Sequence, residues 1–366
     1  MNIDAVLPLT GPGSFLGKSE QQALQILEAT VNKGGGIHGQ PVHFVFHDDQ
    51  SSPQTAVQLA SGIVPSHPPV ILGSAIVAMC KAMAPLMKSG PVMYCNSPGI
   101  HPDKGSYVFT SSVSTLDLAA AAINYLRDKG WTKVALITST DASGQDAEHG
   151  IKGVLARPEN KGMTLVANVH FNPKDLSVAG QMEEVKSKHA DVLIAWSTGA
   201  PVATVFKGIV QAGLSIPVVT TNGNMTYAQM EQYASFLPKD LYIPSSAWTA
   251  HATGKASDPA VDQAQKEFFD AYAAKHLRPD AAATFAWDPA RIVVSALQKL
   301  KAGASAADLR QYIAGLSGFA GINGVYDFVK VPQRGLNVTQ AVMTRWDPAK
   351  KVWAVVSKAA GAPLGG

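Results

Sequence analysis

Short apolar runs alternate with longer stretches of helical period along most of this chain. Residues 3–7 read as a strand followed by a helix near 18–32, and 42–46 precede a helix near 53–64. Residues 70–72 run into a helical stretch at 76–88, and 92–94 close that series. After a helix at 116–129 the pattern resumes, with strand-like runs at 134–137, 164–169, 192–196 and 218–220, each followed by a helical segment. Strands covered by helices on both faces read as unbroken Val/Ile/Leu-rich runs, and their alternation with helices means βαβ units. The expected fold class is therefore α/β, with two doubly wound parallel-sheet lobes joined near 111–114.

The last third changes character. Residues 262–275 and 283–300 read as long helices, followed by β-like pieces at 325–329, 338–346 and 352–356. With no third series of βα units, this third is expected to complete the two lobes. Lobe one is then 1–112 plus 249–329, and lobe two 113–248 plus 330–366. Three passages, near 111–114, 247–250 and 328–332, would make a hinge, and a cleft between lobes is a favoured ligand site.

Composition narrows the class. The chain has 366 residues, 46% hydrophobic and 16% charged, enough for two domains each with its own core. Its formal charge is only +3 with Lys and Arg dispersed, whereas nucleic-acid binding needs a concentrated basic face. The longest segment free of Asp, Glu, Lys and Arg, 50–80, carries Gln, Ser, Thr, His and Pro. Lipid would leave those groups unsatisfied, so no membrane span is read there. Cys80 and Cys95 sit in apolar surroundings without a redox or metal spacing, which favours buried thiols over a pair.

Three strings imitate chemical motifs. Gly34–Gly39 fits the G-x-G-x-x-G spelling, but a helix precedes it and a strand follows, the reverse of a dinucleotide loop; it reads as a helix C-cap and turn. Gly13–Ser19 resembles a phosphate loop with its first glycine one residue too close, which spoils the register of N–H donors. His43 and His47 would share one face of a strand, yet they stand about 13 Å apart, too far to share one metal ion. G-x-S-x-G, C-x-x-C and H-E-x-x-H are all missing from the sequence. With the two-lobe layout this argues against an enzyme, and no cofactor or metal is expected.

Several strings in order resemble one family. The first strand runs into Pro8-Leu9-Thr10-Gly11-Pro12, a helix-end turn follows at Asn32–Gly39, and Asp48–Ala56 spells D-D-x-x-x-P-x-x-A. Ile71-Leu72-Gly73-Ser74, Asn96-Ser97-Pro98, Gln211-Ala212-Gly213-Leu214 and Trp287-Asp288-Pro289-Ala290 come next. Together they are similar to type I periplasmic binding proteins, in the branch of the leucine/isoleucine/valine-binding and aromatic-acid-binding proteins. The resemblance implies a secreted, monomeric receptor that hands a small carboxylate ligand to an ABC permease. Because residues 1–6 already read as a strand, a secretory leader is expected to have been removed and Met1 added for expression.

The family's site carries over by position. Ser74, Val77 and Ala78 after the third strand, with Ser97 and Gly99, are expected to receive the ligand carboxylate in lobe one, Val77 and Ala78 through backbone N–H. Lobe two departs from the amino-acid binders, with Ser143 in place of a tyrosine and Asn222 in place of an acidic residue. A buried ammonium without a carboxylate partner is strongly penalised, so the expected ligand is an acid without an α-amino group, aromatic or keto. Thr115 and Thr198 join this set, and Phe15, Trp248 and Phe285 are candidate ring contacts. The alternatives are an amino-acid receptor in which Asp141, Asp146 or Asp117 replaces the missing acid, a regulatory sensor domain, and an enzyme on an α/β scaffold.

Overall fold

A computed structural model describes residues 1–249 and 258–364. The chain divides into two compact units, Met1–Ser112 with Gly254–Leu336, and Val113–Thr253 with Asn337–Gly366. Unit 1 opens with β1 (Asn2–Leu7), α1 (Ser14–Lys33), β2 (His43–Asp48), α2 (Pro53–Ile63), β3 (Val70–Leu72), α3 (Val77–Met83), β4 (Val92–Cys95) and β5 (Val108–Thr110). Unit 2 follows with α4 (Thr115–Asp128), β6 (Lys133–Ser139), α5 (Ala142–Leu155), β7 (Thr164–Phe171), α6 (Ala179–Ser187) and β8 (Val192–Trp196). It continues through α7 (Val202–Gln211), β9 (Val218–Val219), α8 (Tyr227–Gln232) and β10 (Leu241–Ser246). The chain returns to unit 1 for α9 (Pro259–Ala273), α10 (Ala281–Lys299), α11 (Ala306–Ala314) and the hairpin β11 (Ser317–Gly321) and β12 (Gly324–Asp327). It ends in unit 2 with β13 (Ala341–Asp347) and β14 (Val352–Val355).

The two units repeat one topology. Among the described residues unit 1 holds a parallel sheet in the order β2-β1-β3-β4-β5. The parallel part of unit 2 runs β7-β6-β8-β9-β10, the same 2-1-3-4-5 winding. Its sheet is mixed, because β13 and β14 add antiparallel strands beyond β10. In each unit the winding reverses direction once, between β1 and β3 and between β6 and β8. The loops at the carboxyl ends of those strands flank a crevice, the usual ligand position of open α/β sheets.

Local sequence explains the elements. Ser52 caps α2 with Pro53 at its first turn, and Ser114, Asp141 and Asp258 cap α4, α5 and α9 through their side chains. α1 begins at Ser14, four residues before the apolar period suggests, because Gly17 lets its first turn lie on the Pro8 backbone. A Cβ at Gly17 would stand 2.2 Å from the Pro8 carbonyl oxygen. Gly34–Gly39 closes α1 as the sequence suggests, with the Gly34 N–H bonded to the Thr30 and Val31 carbonyls and Gly35 and Gly36 at positive φ. His47 faces Asp4 at 2.8 Å and His43 faces Glu28 at 3.4 Å, each with its own carboxylate.

The apolar pattern does not predict β5 or β10. β5 is only three residues long. β10 carries Pro244, and proline is ordinarily kept out of sheet interiors; here β9 pairs only with Leu241 and Tyr242, so Pro244 lies beyond that ladder. The later passages between units also fall further along than expected. Residues 330–336 stay with unit 1 because Gln333 bonds Gly105, Ser106, Val108 and Thr110, while the Arg334 guanidinium donates to the Ile100, Ser111 and Ser112 carbonyls. Trp248 stays with unit 2, donating to Ser245 and packing edge-on against Trp353. The expected hinge segment 247–250 ends at Ala250, outside the described residues.

Asp288 ties the last third into unit 1. Fully buried in α10, it accepts from the Ile322 and Asn323 N–H groups, the Asn323 amide and the Tyr326 hydroxyl, at 2.9–3.0 Å. Replacing it would strand these donors without water. Asp288→Ala should cost about 3 kcal/mol of stability in urea unfolding, as for several unsatisfied buried groups; a loss below about 1 kcal/mol would show that the hairpin does not depend on it.

Candidate functional site

In unit 1 the strand-end loops are held by polar side chains, half-exposed after β1 and β2 and buried after β3 and β4. The Asp48 carboxylate, at the end of β2, accepts from the Leu9 and Thr10 N–H groups and the Thr10 hydroxyl, so it fastens the loop after β1. Burial alone would raise its pKa, but the Thr10 hydroxyl and the Gln50, Thr10 and Leu9 N–H groups hold it below the ordinary carboxylate range. Ser51 accepts from the Gly13 N–H and donates to the Thr10 carbonyl. The string that imitates a phosphate loop is thus tied to the loop after β2.

Ser74 follows β3 and is buried; its hydroxyl lies 3.4 Å from the Ile76 N–H. Val77 and Ala78 form the first turn of α3, whose N-cap, Ile76, offers no side-chain acceptor. Ser97 and Gly99 follow β4; the Ser97 hydroxyl accepts from the Gly99 N–H at 3.4 Å, and the Ser97 carbonyl accepts from Thr110 at 2.7 Å. Cys80 and Cys95 form a disulfide, a correction to the free thiols favoured by their apolar surroundings. The cause is packing: α3 lies over the end of β4, bringing the two Cα atoms to 6.0 Å, within bridging range. The bond joins α3, which begins with Val77 and Ala78, to the residue two before Ser97, and so fixes the two expected carboxylate loops to one another. Phe15 sits half-buried on the first turn of α1, and Phe285 is buried in α10.

Unit 2 presents hydroxyls and amides. Ser143, in the first turn of α5 after β6, and Thr198, in the loop after β8, meet at 2.7 Å beside the point where the winding reverses. Thr221 donates to the Asn222 side chain at 3.3 Å just beyond β9. Thr115 is the buried first residue of α4. Trp248 is buried with its indole N–H bonded within its own unit. Sequence reasoning overlooks Asn224, the hub of this region: it accepts from the Gly199 N–H and donates to the Ser197 carbonyl and Thr220 hydroxyl. Its spacing two residues after Asn222 was the available signal.

Two of the three candidate carboxylates of unit 2, Asp141 and Asp117, have structural duties. Asp141 accepts from Ser139 and from the Ser143 and Gly144 N–H groups at the start of α5, and Asp117 accepts from Ser114 at the start of α4. Unit 1 also contains two buried acids that the sequence did not single out. Glu20 of α1 is fully buried with neither oxygen in a hydrogen bond, and Asp49 is fully buried with Oδ2 in none. Burial pushes the Glu20 pKa well up, the Asn96 amide opposes it, and Asp49 and Asp280 add to the rise. Burial likewise raises Asp49 to about 6, against the Ser74 hydroxyl and Ser51 N–H and with the help of Asp48.

Paired 2-1-3-4-5 sheets with polar strand-end loops define a class, the two-unit α/β binding proteins. Comparison with known proteins is specific: the family model of the periplasmic binding proteins matches residues 2–351, and the chain belongs to that family. That is a family of ligand-binding receptors, not of enzymes. A Leu/Ile/Val-binding protein homologue of Brucella melitensis is 24% identical over 204 residues, 53% of each chain. The chain thus spans about half the length of the curated relatives it matches. An extracellular ligand-binding receptor of Rhodopseudomonas palustris HaA2 superposes with TM-score 0.86 at 19% identity, covering 97% of this chain and 99% of its own. LivJ of Streptococcus pneumoniae, a branched-chain amino acid transporter substrate-binding protein solved with isoleucine, superposes with TM-score 0.82 at 20% identity, covering 97% and 99%.

The displaced pKa of Asp49 has a consequence for stability. Its folded value of about 6 lies above the ordinary 3.8, so the folded state holds this proton more tightly than the unfolded chain does. Its contribution is complete below the unfolded value and is lost as pH rises through 6. Asp49→Asn should therefore be more stable than the wild type at pH 7.5, by about 3 kcal/mol, and melt higher. It should also lose the part of the stability–pH slope that lies between the two values. Calorimetric melting across that range checks this, and an unchanged slope in the variant would contradict it.

Proposed function

We propose that this protein is the extracytoplasmic receptor of an ABC importer, a monomer delivering a small organic acid without an ammonium group, aromatic or keto, to its membrane permease. The loops holding Ser74, Val77, Ala78, Ser97 and Gly99 in unit 1 take the carboxylate, and Ser143, Thr198 and Asn222 with Thr115 of unit 2 take the remainder of the same ligand. Phe15, Trp248 and Phe285 are the aromatic residues assigned to its ring. Family membership supports the receptor role, and the likeness of the fold to LivJ, a transporter substrate-binding protein, accords with a transport partner. Location outside the cytoplasmic membrane follows the same family.

The observation that carries the ligand class is the polar character of unit 2. The segments that follow β6, β8 and β9 offer Ser143, Thr198 and Asn222, and Asp141 is spent on capping α5. Hydroxyls and an amide can serve a keto or hydroxyl oxygen but cannot neutralise a cation. The second reading is a branched-chain amino acid, favoured by the likeness to the Leu/Ile/Val-binding relatives.

Titration calorimetry with 4-hydroxybenzoate, phenylpyruvate, 4-methyl-2-oxopentanoate and leucine separates them. The best acid without an amino group should bind at least tenfold tighter than leucine, about 1.4 kcal/mol, and Asn222→Asp should weaken it. Ser97→Ala should lower its affinity by about 1–2 kcal/mol with the fold unchanged. Leucine binding as tightly as the best of the other acids would give the site to the amino-acid reading.

A further inference from the structure

Both sulfurs of the disulfide lie against the main chain of the two serines expected to take the ligand carboxylate. Cys80 Sγ stands 3.2 Å from the Ser74 carbonyl oxygen, and Cys95 Sγ stands 3.8 Å from the same oxygen. Cys95 Sγ also accepts from the Ser97 N–H at 3.4 Å and lies 3.8 Å from the Ser97 carbonyl oxygen. There is no slack in the loop around this bond: a Cβ on Gly73 would meet Cys95 Cα at 3.2 Å and Cys80 Sγ at 3.5 Å. Both cysteines and both serines are buried, and the cysteines belong to the apolar cluster that holds Ile71, Met79, Met83 and Met93. The sulfurs thus connect a close-packed apolar core to two polar loops.

Among the described residues no N–H or O–H group donates to the Ser74 carbonyl, and the sulfurs are its near neighbours. The Ser74–Ala75 peptide is trans, and a trans peptide points its N–H opposite to its C=O. With the Ser74 carbonyl turned to the sulfurs, the Ala75 N–H points away from them. That N–H makes no hydrogen bond among the described residues although Ala75 is buried. Buried N–H groups are rarely left without a partner.

We propose that the Cys80–Cys95 bond is a positioning element of the carboxylate site: it sets the Ser74–Ala75 peptide so that the Ala75 N–H, with the Ser74 and Ser97 hydroxyls, meets the ligand carboxylate, and its reduction weakens binding. The proposal rests on the assignment of Ser74 and Ser97 to that carboxylate, and holds for any carboxylate ligand, leucine included. Reduction by a dithiol breaks the S–S bond with two electrons and two protons, leaves two thiols and turns the dithiol into its own cyclic disulfide. The two thiols part to van der Waals contact, and a close-packed interior passes that shift to whatever touches the sulfurs, here Ser74 and Ser97. Coupling between two equilibria is reciprocal, so the ligand protects the bond from reduction by the factor by which the bond raises affinity. Tight capture is then confined to an oxidising compartment, where such bonds persist.

The test is titration calorimetry of the full chain with the same four carboxylates, oxidised and equilibrated with excess dithiothreitol, and of Cys80→Ala/Cys95→Ala, with circular dichroism reading the fold. The tightest binder should lose about tenfold or more in affinity in the reduced protein and in the double variant, both still folded. Asp288→Ala, destabilised in the same unit through the hairpin, should bind as the wild type does. Saturating ligand should raise the ratio of reduced to oxidised dithiothreitol that opens half the bonds by that same factor, read by alkylation of the freed thiols. In a crystal structure with that acid the Ala75 N–H should donate to a carboxylate oxygen. Unchanged affinity in the folded reduced protein or double variant overturns the proposal while leaving the carboxylate receptor intact. So does a reduction equilibrium that the ligand does not shift, or a bound carboxylate out of reach of the Ala75 N–H. An equal loss in Asp288→Ala makes general loosening of the unit the cause and overturns it. Unfolding of both the reduced protein and the double variant assigns the bond to the fold as a whole, and overturns it too. Failure of all four carboxylates to bind the oxidised protein overturns the receptor reading and this inference with it.

Discussion

The parallel ladder is the constraint on which everything else in each unit depends. Parallel strands need crossover helices, so every strand of a series ends in a loop on the same side of its sheet. The 2-1-3-4-5 order then opens one crevice per sheet, between β1 and β3 in unit 1 and between β6 and β8 in unit 2. Loops there expose backbone groups that need partners, and the chain supplies Asp48, Ser51, Ser74 and Ser97 in one unit and Asp141 and Asn224 in the other. On the proposed function, structural capping and ligand recognition compete for the same few side chains.

That competition is resolved differently in the two units. In unit 2 Asp141 caps α5 and Asp117 accepts from Ser114, the cap of α4, while hydroxyls and amides stand at the loop ends. In unit 1 the acids are withdrawn behind the loops, where Glu20 and Asp49 are buried without cationic partners among the described residues. Burying a charged carboxylate is costly enough that such a group shifts its pKa instead. The protonated form of these acids is thereby favoured inside unit 1. The Cys80–Cys95 bond adds rigidity at the same place, joining α3 to the end of β4.

The fold was legible because buried parallel strands leave a strong periodic signal. β1, β2, β8 and α2 fall where the apolar runs put them, and the resemblance strings mark loops that recur in order. Elements whose reasons are tertiary were not legible. β10 contains Pro244 and is allowed only because β9 is short, and the passage after 336 depends on Gln333 and Arg334 reaching back to 100–112. The pairing of Ser143 with Thr198 joined two residues the sequence had named separately. The disulfide and the buried pair Glu20 and Asp49 were missed because a single sequence does not show which apolar neighbours enclose a polar group.

The central claim is that the strand-end loops of unit 1 receive a carboxylate. A crystal structure of the protein with its tightest-binding acid tests this most directly. The account predicts a carboxylate oxygen within hydrogen-bond distance of the Ser74 or Ser97 hydroxyl, beside the first turn of α3. A ligand whose carboxylate lies away from both serines and from α3 would contradict it.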